Sequence, residues 1–127
     1  MAKLKNPIGW FEIHVEDMAR ASAFYETVFQ QTLTPMPAPE PNMEMRMLSG
    51  NMTMHGANGA LVKHPMRKPT HEGTLVYFSC EDCGKTAELA LEHGGVVHKP
   101  KWSIGEHGFI AIIGDTDGNA IGLHSFA

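Results

Sequence analysis

A strand end, an acidic pair and a helix start follow one another in the segment Ile13-His14-Val15-Glu16-Asp17-Met18-Ala19-Arg20. The same order returns in Phe78-Ser79-Cys80-Glu81-Asp82-Cys83-Gly84-Lys85, with a cation three residues after the aspartate in both copies. Such an aspartate can cap a helix, because its carboxylate accepts the free amide protons of the first turn. The offset is close to half of the 127 residues, so the sequence predicts two structurally similar halves.

The residues around the first copy predict the elements of the first half. Residues 8–15 alternate as a strand that carries Trp10, Glu12 and His14 on one face. A helix is predicted from Asp17 to about Gln30, and short strands are predicted around residues 32–36, 44–48 and 60–63.

A run of alternating prolines interrupts these strands at Pro35, Pro37, Pro39 and Pro41. Proline cannot donate to a ladder, so this run favours an extended loop over a central strand. The loop is either a stiff connector, which is the favoured interpretation, or a rim over a pocket. The methionines at 43, 45 and 47 that follow fill a core or, in the alternative, line a pliable apolar pocket.

The second half repeats the order of the first. A strand is predicted at 74–80, a helix from Asp82 to near His93, and strands at 96–98, 109–113 and 120–124. Residues 102–108 are predicted to form a loop, and 115–119 a turn. The sequence therefore predicts a single α+β domain of two βαβββ modules, at about 6–66 and 72–127.

Composition excludes several classes of function. The apolar fraction of 43% suffices for one packed core, and the net charge of −4 argues against nucleic-acid binding, which requires a basic surface. No apolar run approaches the roughly 20 residues of a membrane span. The polar start, residues 1–7, lacks the apolar region of a secretory signal, so a cytoplasmic location is expected.

Cys80 and Cys83 form the one C-x-x-C pair of the sequence. A structural zinc site needs two further ligands at suitable spacing, and no second pair exists. A redox pair remains open, but two buried free thiols, one at a strand end and one in the first turn of a helix, are the favoured interpretation.

Two motifs that bracket the chain resemble the glyoxalase/bleomycin-resistance/extradiol-dioxygenase superfamily, also called vicinal oxygen chelate. The segment from Val15 to Tyr25 resembles its opening strand and D-x-x-R-A-x-x-F-Y helix start. Residues 108–111 and 115–123 resemble its closing strand pair and D-P-x-G-N turn, with Thr116 in place of the proline. The resemblance implies βαβββ modules whose sheets curl into a cup, with helices on the outer face and a small ligand inside. It also implies a homodimer.

Metal-dependent members of the superfamily hold a divalent ion with His, Glu or Gln from the first and last strand of each module. The matching positions here are Trp10, Leu75 and Gly122, and the fourth falls in the apolar residues 60–62. An indole, an isobutyl group and a glycine offer no metal ligand. We therefore predict no metal or other cofactor at the usual site.

Polar side chains remain in the implied cup. Two-residue alternation places Glu12 and His14 beside Trp10, Tyr77 and Ser79 beside Leu75, and His124 beside Gly122. The first and last strands of a module are expected to be neighbours, so Tyr77 and His124 could touch. The candidate catalytic residues are Glu12, His14, Tyr77 and His124, and the candidate ligand-binding residues are Trp10, Leu75, Ser79, Gly122 and His107, the last in a loop that rims the cup.

Three functions follow from these residues. The first is a metal-independent small-molecule protein that binds a ligand or transfers a proton. The second is a metal-dependent lyase or isomerase with its ligands displaced to Glu12, His14 and His124. The third is a non-catalytic interaction module, in which the same groups satisfy one another's hydrogen bonds in a filled cup. An open cup would separate the first function from the third.

Overall fold

The computed structural model describes residues 6–51 and 53–127. The polar start, for which the sequence predicts no secretory signal, lies largely outside them. The described elements, in chain order, are β1 (Phe11–His14), α1 (Met18–Val28), β2 (Thr34–Met36), β3 (Glu44–Met47), β4 (Gly59–Lys63), β5 (Val76–Ser79), α2 (Cys83–Glu92), β6 (Val96–Ser103), a 3-10 turn (Gly105–His107), β7 (Phe109–Gly114) and β8 (Ala120–Ser125).

The strands form two mixed sheets of four, ordered β1-β4-β3-β2 and β5-β8-β7-β6. In each sheet the first and last strands of the module pair in parallel, and the remaining pairs are antiparallel. The predicted α+β fold of two βαβββ modules is confirmed. The edge strands β1 and β5 lie at the boundary between the modules, where the rings of Phe11 and Phe78 meet edge to face at 5.8 Å.

Both helices begin where the acidic motifs predict. Asp17 accepts a hydrogen bond from the Arg20 N–H at 3.0 Å, and Asp82 accepts one from the Gly84 N–H at 2.9 Å. These carboxylates satisfy amide protons that a helix start leaves without partners. Within the part of the chain described, no helix is long and apolar enough to cross a membrane.

The largest departure from the predicted elements is in β6. The sequence predicts a strand over 96–98 and a loop from Trp102, whereas β6 runs from Val96 to Ser103 and includes Pro100. Its register against β7 shifts twice, between Val97 and Lys99 and again before Trp102. β6 is an edge strand, so a missing N–H and an irregular register are tolerated there.

The proline-rich segment packs over the first sheet. Met36, Ala38 and Met43 lie against a buried cluster of Met45, Ala60 and Val62 on the face opposite the helices. These methionines therefore fill a small core of their own.

The helix-facing sides of the two sheets share one core. It includes Ile13 and Phe24 from the first module and Ile113 and Leu123 from the second. Phe78 of β5 packs on Phe29, the residue that follows α1, at 4.3 Å between ring centroids. Burying one such large apolar side chain contributes about 1.5–3 kcal/mol. The modules are thus joined by a continuous apolar interior.

The cysteines lie near this interior as free thiols, with Cys83 buried at the first residue of α2 and Cys80 half-buried after β5. Burial raises the pKa of the Cys80 thiol, so its reactive thiolate is disfavoured.

A buried carboxylate in the turn after β7 connects the modules. Asp115 is 5% exposed and accepts the Tyr25 O–H of α1 at 2.7 Å. It also accepts the backbone N–H groups of Asp117 and Asn119, each at 2.9 Å, and the Asn119 side-chain amide at 3.0 Å. Four donors therefore compensate one buried charge, and one of them belongs to the other module.

The same turn contacts the first module at further points. The Asn119 amide donates to the carbonyl of His14 at 2.8 Å, at the end of β1. The Asn119 side-chain oxygen accepts the Thr70 N–H at 2.9 Å, which ties down the segment between the modules. Arg20 donates to the Thr116 carbonyl at 2.9 Å. The turn therefore fixes the end of β1, the start of α1 and the connecting segment together.

We predict that Tyr25→Phe destabilises the protein by about 1.5–3 kcal/mol, the value of a hydrogen bond to a charged group. The matched control is Tyr77→Phe, because Tyr77 is 45% exposed and its hydroxyl has no hydrogen-bond partner among the described residues. The free energy of unfolding of this control should lie within about 0.5 kcal/mol of that of the parent protein. Urea unfolding followed by circular dichroism measures both, and equal effects of the two variants would contradict the role of Asp115.

Candidate functional site

A cleft of about 630 Å³ lies at the boundary between the modules. One wall is formed by β1 and the residues before it, and the opposite wall by β5 and residues 119–121 of the second module. The connecting segment contributes Lys68, Thr70 and Glu72. Small-molecule sites have volumes of about 300–1,000 Å³, so the cleft is large enough for a drug-sized ligand.

Five of the nine predicted site residues line this cleft: Trp10, Glu12, His14, Leu75 and Tyr77. Alternation along β1 places the first three on the face that points away from the helices, as the sequence predicts. The Trp10 indole N–H donates to a Glu12 carboxylate oxygen at 3.2 Å, which orients both side chains. The site therefore combines an aromatic wall with a carboxylate and an imidazole.

The other four, Ser79, His107, Gly122 and His124, are not among the residues that line the cleft. Parallel pairing of β5 with β8 places Tyr77 opposite Gly122 and Ser79 opposite His124. The Tyr77 ring lies over Gly122, where an added Cβ would come within 2.5 Å of its Cδ2. This register, which the sequence does not specify, places Ser79 and His124 farther along the strands.

His124 has partners of its own. Its Nε2 lies 2.6 Å from the carbonyl oxygen of His107, and its ring meets Phe126 edge to face at 4.8 Å. His107 and His124 are therefore neighbours, but neither residue lines the cleft. Ser79 lines a groove with Phe29 and Cys80, and a second groove with Phe11 and Tyr77, which also line the cleft.

Burial is the main influence on His14 and lowers the pKa of its imidazole below 6.5. The Glu12 carboxylate opposes this shift, whereas Arg67 and His64 add to it. The Nε2 of His14 is buried and has no hydrogen-bond partner within the described residues. Burial therefore favours the neutral form of the His14 ring.

Sequence reasoning missed the contribution of the connecting segment. The sequence predicts only a boundary between the modules, between about residues 66 and 72, yet Lys68, Thr70 and Glu72 line the cleft. Asn119 is predicted only as a turn residue, although this side chain lines the cleft and holds the His14 carbonyl. The charges of the segment were visible, but its path beside β1 depends on the Thr70–Asn119 hydrogen bond.

The sequence model of the Glyoxalase/Bleomycin resistance protein/Dioxygenase superfamily matches residues 7–123. The chain belongs to this superfamily. A comparison with curated proteins gives no match.

Three solved structures of other proteins share the fold. TnmS3, an antibiotic binding protein from a Streptomyces species, is similar with a TM-score of 0.69 and 23% identity, over 98% of each chain. A family enzyme from Burkholderia phytofirmans has a TM-score of 0.69 and 16% identity, over 94% of this chain and 98% of that one. Glyoxalase I from Zea mays has a TM-score of 0.68 and 19% identity, over 99% of this chain and 48% of that one. The chain thus spans about half the length of the maize enzyme.

The superfamily resemblance assigns a metal to the positions of Trp10, Leu75, Gly122 and residues 60–62. Trp10, Leu75 and Gly122 carry no ligand atom, and residues 60–62 are a buried apolar run. Among residues 6–51 and 53–127, no three His, Cys, Asp or Glu side chains come together as a group that could hold a metal ion. The alternative metal site would need Glu12, His14 and His124 together. Glu12 and His14 line the cleft, whereas His124 does not.

We predict that His14 titrates below 6.5 in NMR spectra of its ring protons. Glu12→Gln should lower this pKa further, because a carboxylate that favours the charged ring is removed. Arg67→Gln should raise it, because a repelling cation is removed. Since the folded pKa lies below that of the unfolded chain, the contribution of His14 to stability declines as the pH falls below 6.5. If the pKa of His14 shifts in the same direction in both variants, the opposite effects assigned to Glu12 and Arg67 are wrong.

Proposed function

We propose that this superfamily member binds a small organic molecule, without a metal, in the cleft between its two modules. The observation that carries the proposal is an open cleft of about 630 Å³ whose lining includes exposed apolar side chains next to titratable ones. An open cleft also argues against a filled cup that serves only as an interaction scaffold.

The apolar walls provide the driving force for binding. Ile8 is 62% exposed, Tyr77 45%, Trp10 37% and Leu75 36%. Exposed large hydrophobic residues that converge on one concave surface are typical of a binding site, because a ligand removes their apolar surface from water. Glu12, Glu72 and Lys68 supply polar contacts that would orient the ligand. That TnmS3 is an antibiotic binding protein supports a binding function of this kind.

Metal-independent proton transfer is the second candidate. It is favoured by the neutral His14 ring on the same strand face as Glu12, since an uncharged imidazole can accept a proton. If a bound ligand is also a substrate, its acidic C–H groups should exchange with deuterium in D₂O. His14→Gln would abolish this exchange, and exchange at the parental rate in the variant would exclude His14 as the base.

We also propose a homodimer, as the resemblance implies. Trp102 and Phe126 are exposed by 56% and 78%, and a second copy would cover such apolar surface. Light scattering at high micromolar concentration should give twice the mass of the chain, and a monomer would contradict this assembly.

We predict that a thermal-shift screen of metabolites and antibiotics against metal-free protein yields stabilising ligands, because binding to the native state raises stability. For such a ligand, Trp10→Ala should weaken binding about tenfold or more, the equivalent of about 1.4 kcal/mol of lost contact. The matched control is Leu91→Ala, which removes an apolar side chain of α2 that is 59% exposed and lies outside the cleft, and should leave the dissociation constant unchanged. Titration calorimetry measures both, and equal weakening would exclude the cleft as the site.

A further inference from the structure

The free edge of β1 faces the cleft. The N–H of Phe11 donates to the Asn58 carbonyl and that of Val15 to the Val62 carbonyl, so these odd-numbered positions pair with β4 and the segment before it. In a parallel ladder alternate residues point their backbone groups in opposite directions. Those of Glu12 and His14 therefore point away from β4. The hydrogen bond from Asn119 to the His14 carbonyl confirms this direction, since Asn119 belongs to the second module.

On β5, too, alternate residues point their backbone groups away from the paired strand. The N–H of Cys80 donates to the His124 carbonyl at 2.8 Å, so the even-numbered positions of this segment pair with β8. By the same alternation the backbone groups of Leu75, Tyr77 and Ser79 point away from β8. They are directed toward the boundary with the first module.

These two edges are not joined to each other. β1 and β5 each end a four-stranded sheet, and no ladder connects them within the described chain. The cleft lies along both, since its lining contains the unbroken runs 10–14 and 74–77. By the alternation of a parallel ladder, the N–H groups of Glu12, His14 and Tyr77 lie outside the pairing of β1 with β4 and of β5 with β8. The cleft is therefore bordered by main-chain donors and acceptors as well as by side chains.

We propose that the ligand of this cleft is an extended, amide-bearing molecule, such as a short peptide, that adds to these edges as a strand. The inference rests on the proposed function of the cleft and specifies its ligand class. Outward-pointing groups on a strand repeat every two residues, about 6.6–6.8 Å, which is also the repeat of an extended peptide. A ligand of this kind gains main-chain hydrogen bonds from the edges and specificity from alternate side chains.

Several polar side chains of the cleft already have partners. The Trp10 indole N–H is engaged by Glu12, and the Asn119 side chain is engaged by His14, Thr70 and Asp115. Lys68 lies 3.9 Å from Glu16. The edge amides therefore add to the few side-chain groups of the cleft that a ligand can engage, such as the Tyr77 hydroxyl. β1 has four residues, so it offers an edge for a ligand of about three residues at about 3.3 Å each.

The test compares two pools of compounds of matched size by NMR on ¹⁵N-labelled protein. One pool contains tripeptides with acetylated amino and amidated carboxyl ends, and the other contains rigid aromatic compounds without amides. We expect tripeptides to bind and to slow hydrogen exchange at the Glu12, His14 and Tyr77 amides at least tenfold. Methylation of the backbone nitrogens of a binding tripeptide should weaken its binding at least tenfold, because its N–H donors are lost.

A pair of variants tests the protein's own donor. Glu12→Pro removes the edge N–H together with the carboxylate, whereas Glu12→Ala removes the carboxylate alone. Proline is tolerated on an edge strand when its nitrogen faces away from the ladder. Glu12→Pro should weaken tripeptide binding at least tenfold more than Glu12→Ala. If Glu12→Pro fails to fold, the methylated tripeptides decide the question.

The possible failures are distinguishable. If only the amide-free aromatics bind, and the edge amides exchange as in the free protein, the inference is wrong and the proposed function stands. If neither pool binds in the cleft, the proposed function is wrong as well. Tripeptides that bind equally well after methylation would also overturn the inference.

Discussion

The buried carboxylate of Asp115 is the constraint on which the arrangement of the two modules depends. A buried charge that loses its partners costs several kcal/mol, so its four donors must stay in place. Three of them come from its own turn, and the fourth is Tyr25 of the other module. The turn that Asp115 organises also presents Asn119 to the end of β1. Satisfying one charge therefore sets the position of β1 relative to β8 and, through β8, to β5.

The cleft is a consequence of this arrangement. The turn is hydrogen-bonded to the His14 carbonyl at the end of β1 and to the Thr70 N–H of the connecting segment. On the side of the core, the rings of Phe11 and Phe78 are in contact. Between these points the two strand edges remain unpaired, and Tyr77 lies flat over Gly122 in the opposite wall. The chain keeps the superfamily's scaffold, and the positions that the resemblance assigns to a metal carry Trp10, Leu75 and Gly122.

The sequence predicts the elements well and their mutual placement poorly, for one physical reason. Helix caps at Asp17 and Asp82 and the period of two along β1 are local properties, so the fold class and the shared face of Trp10, Glu12 and His14 could be predicted. The separation of His124 from Tyr77 depends on strand register. The part played by residues 68–72 depends on the bond from Asn119 to the Thr70 backbone, 49 residues apart. Such long-range contacts have no local signature.

A crystal structure of the protein with its most stabilising ligand tests most directly whether ligands bind between β1 and β5. Ligand density is expected in the cleft, in contact with the side chains of Trp10 and Tyr77 and bordered by the edges of both strands. Density for the ligand elsewhere, such as beside Trp102 or in the groove at Ser79, with the inter-module cleft filled only by water, would contradict it.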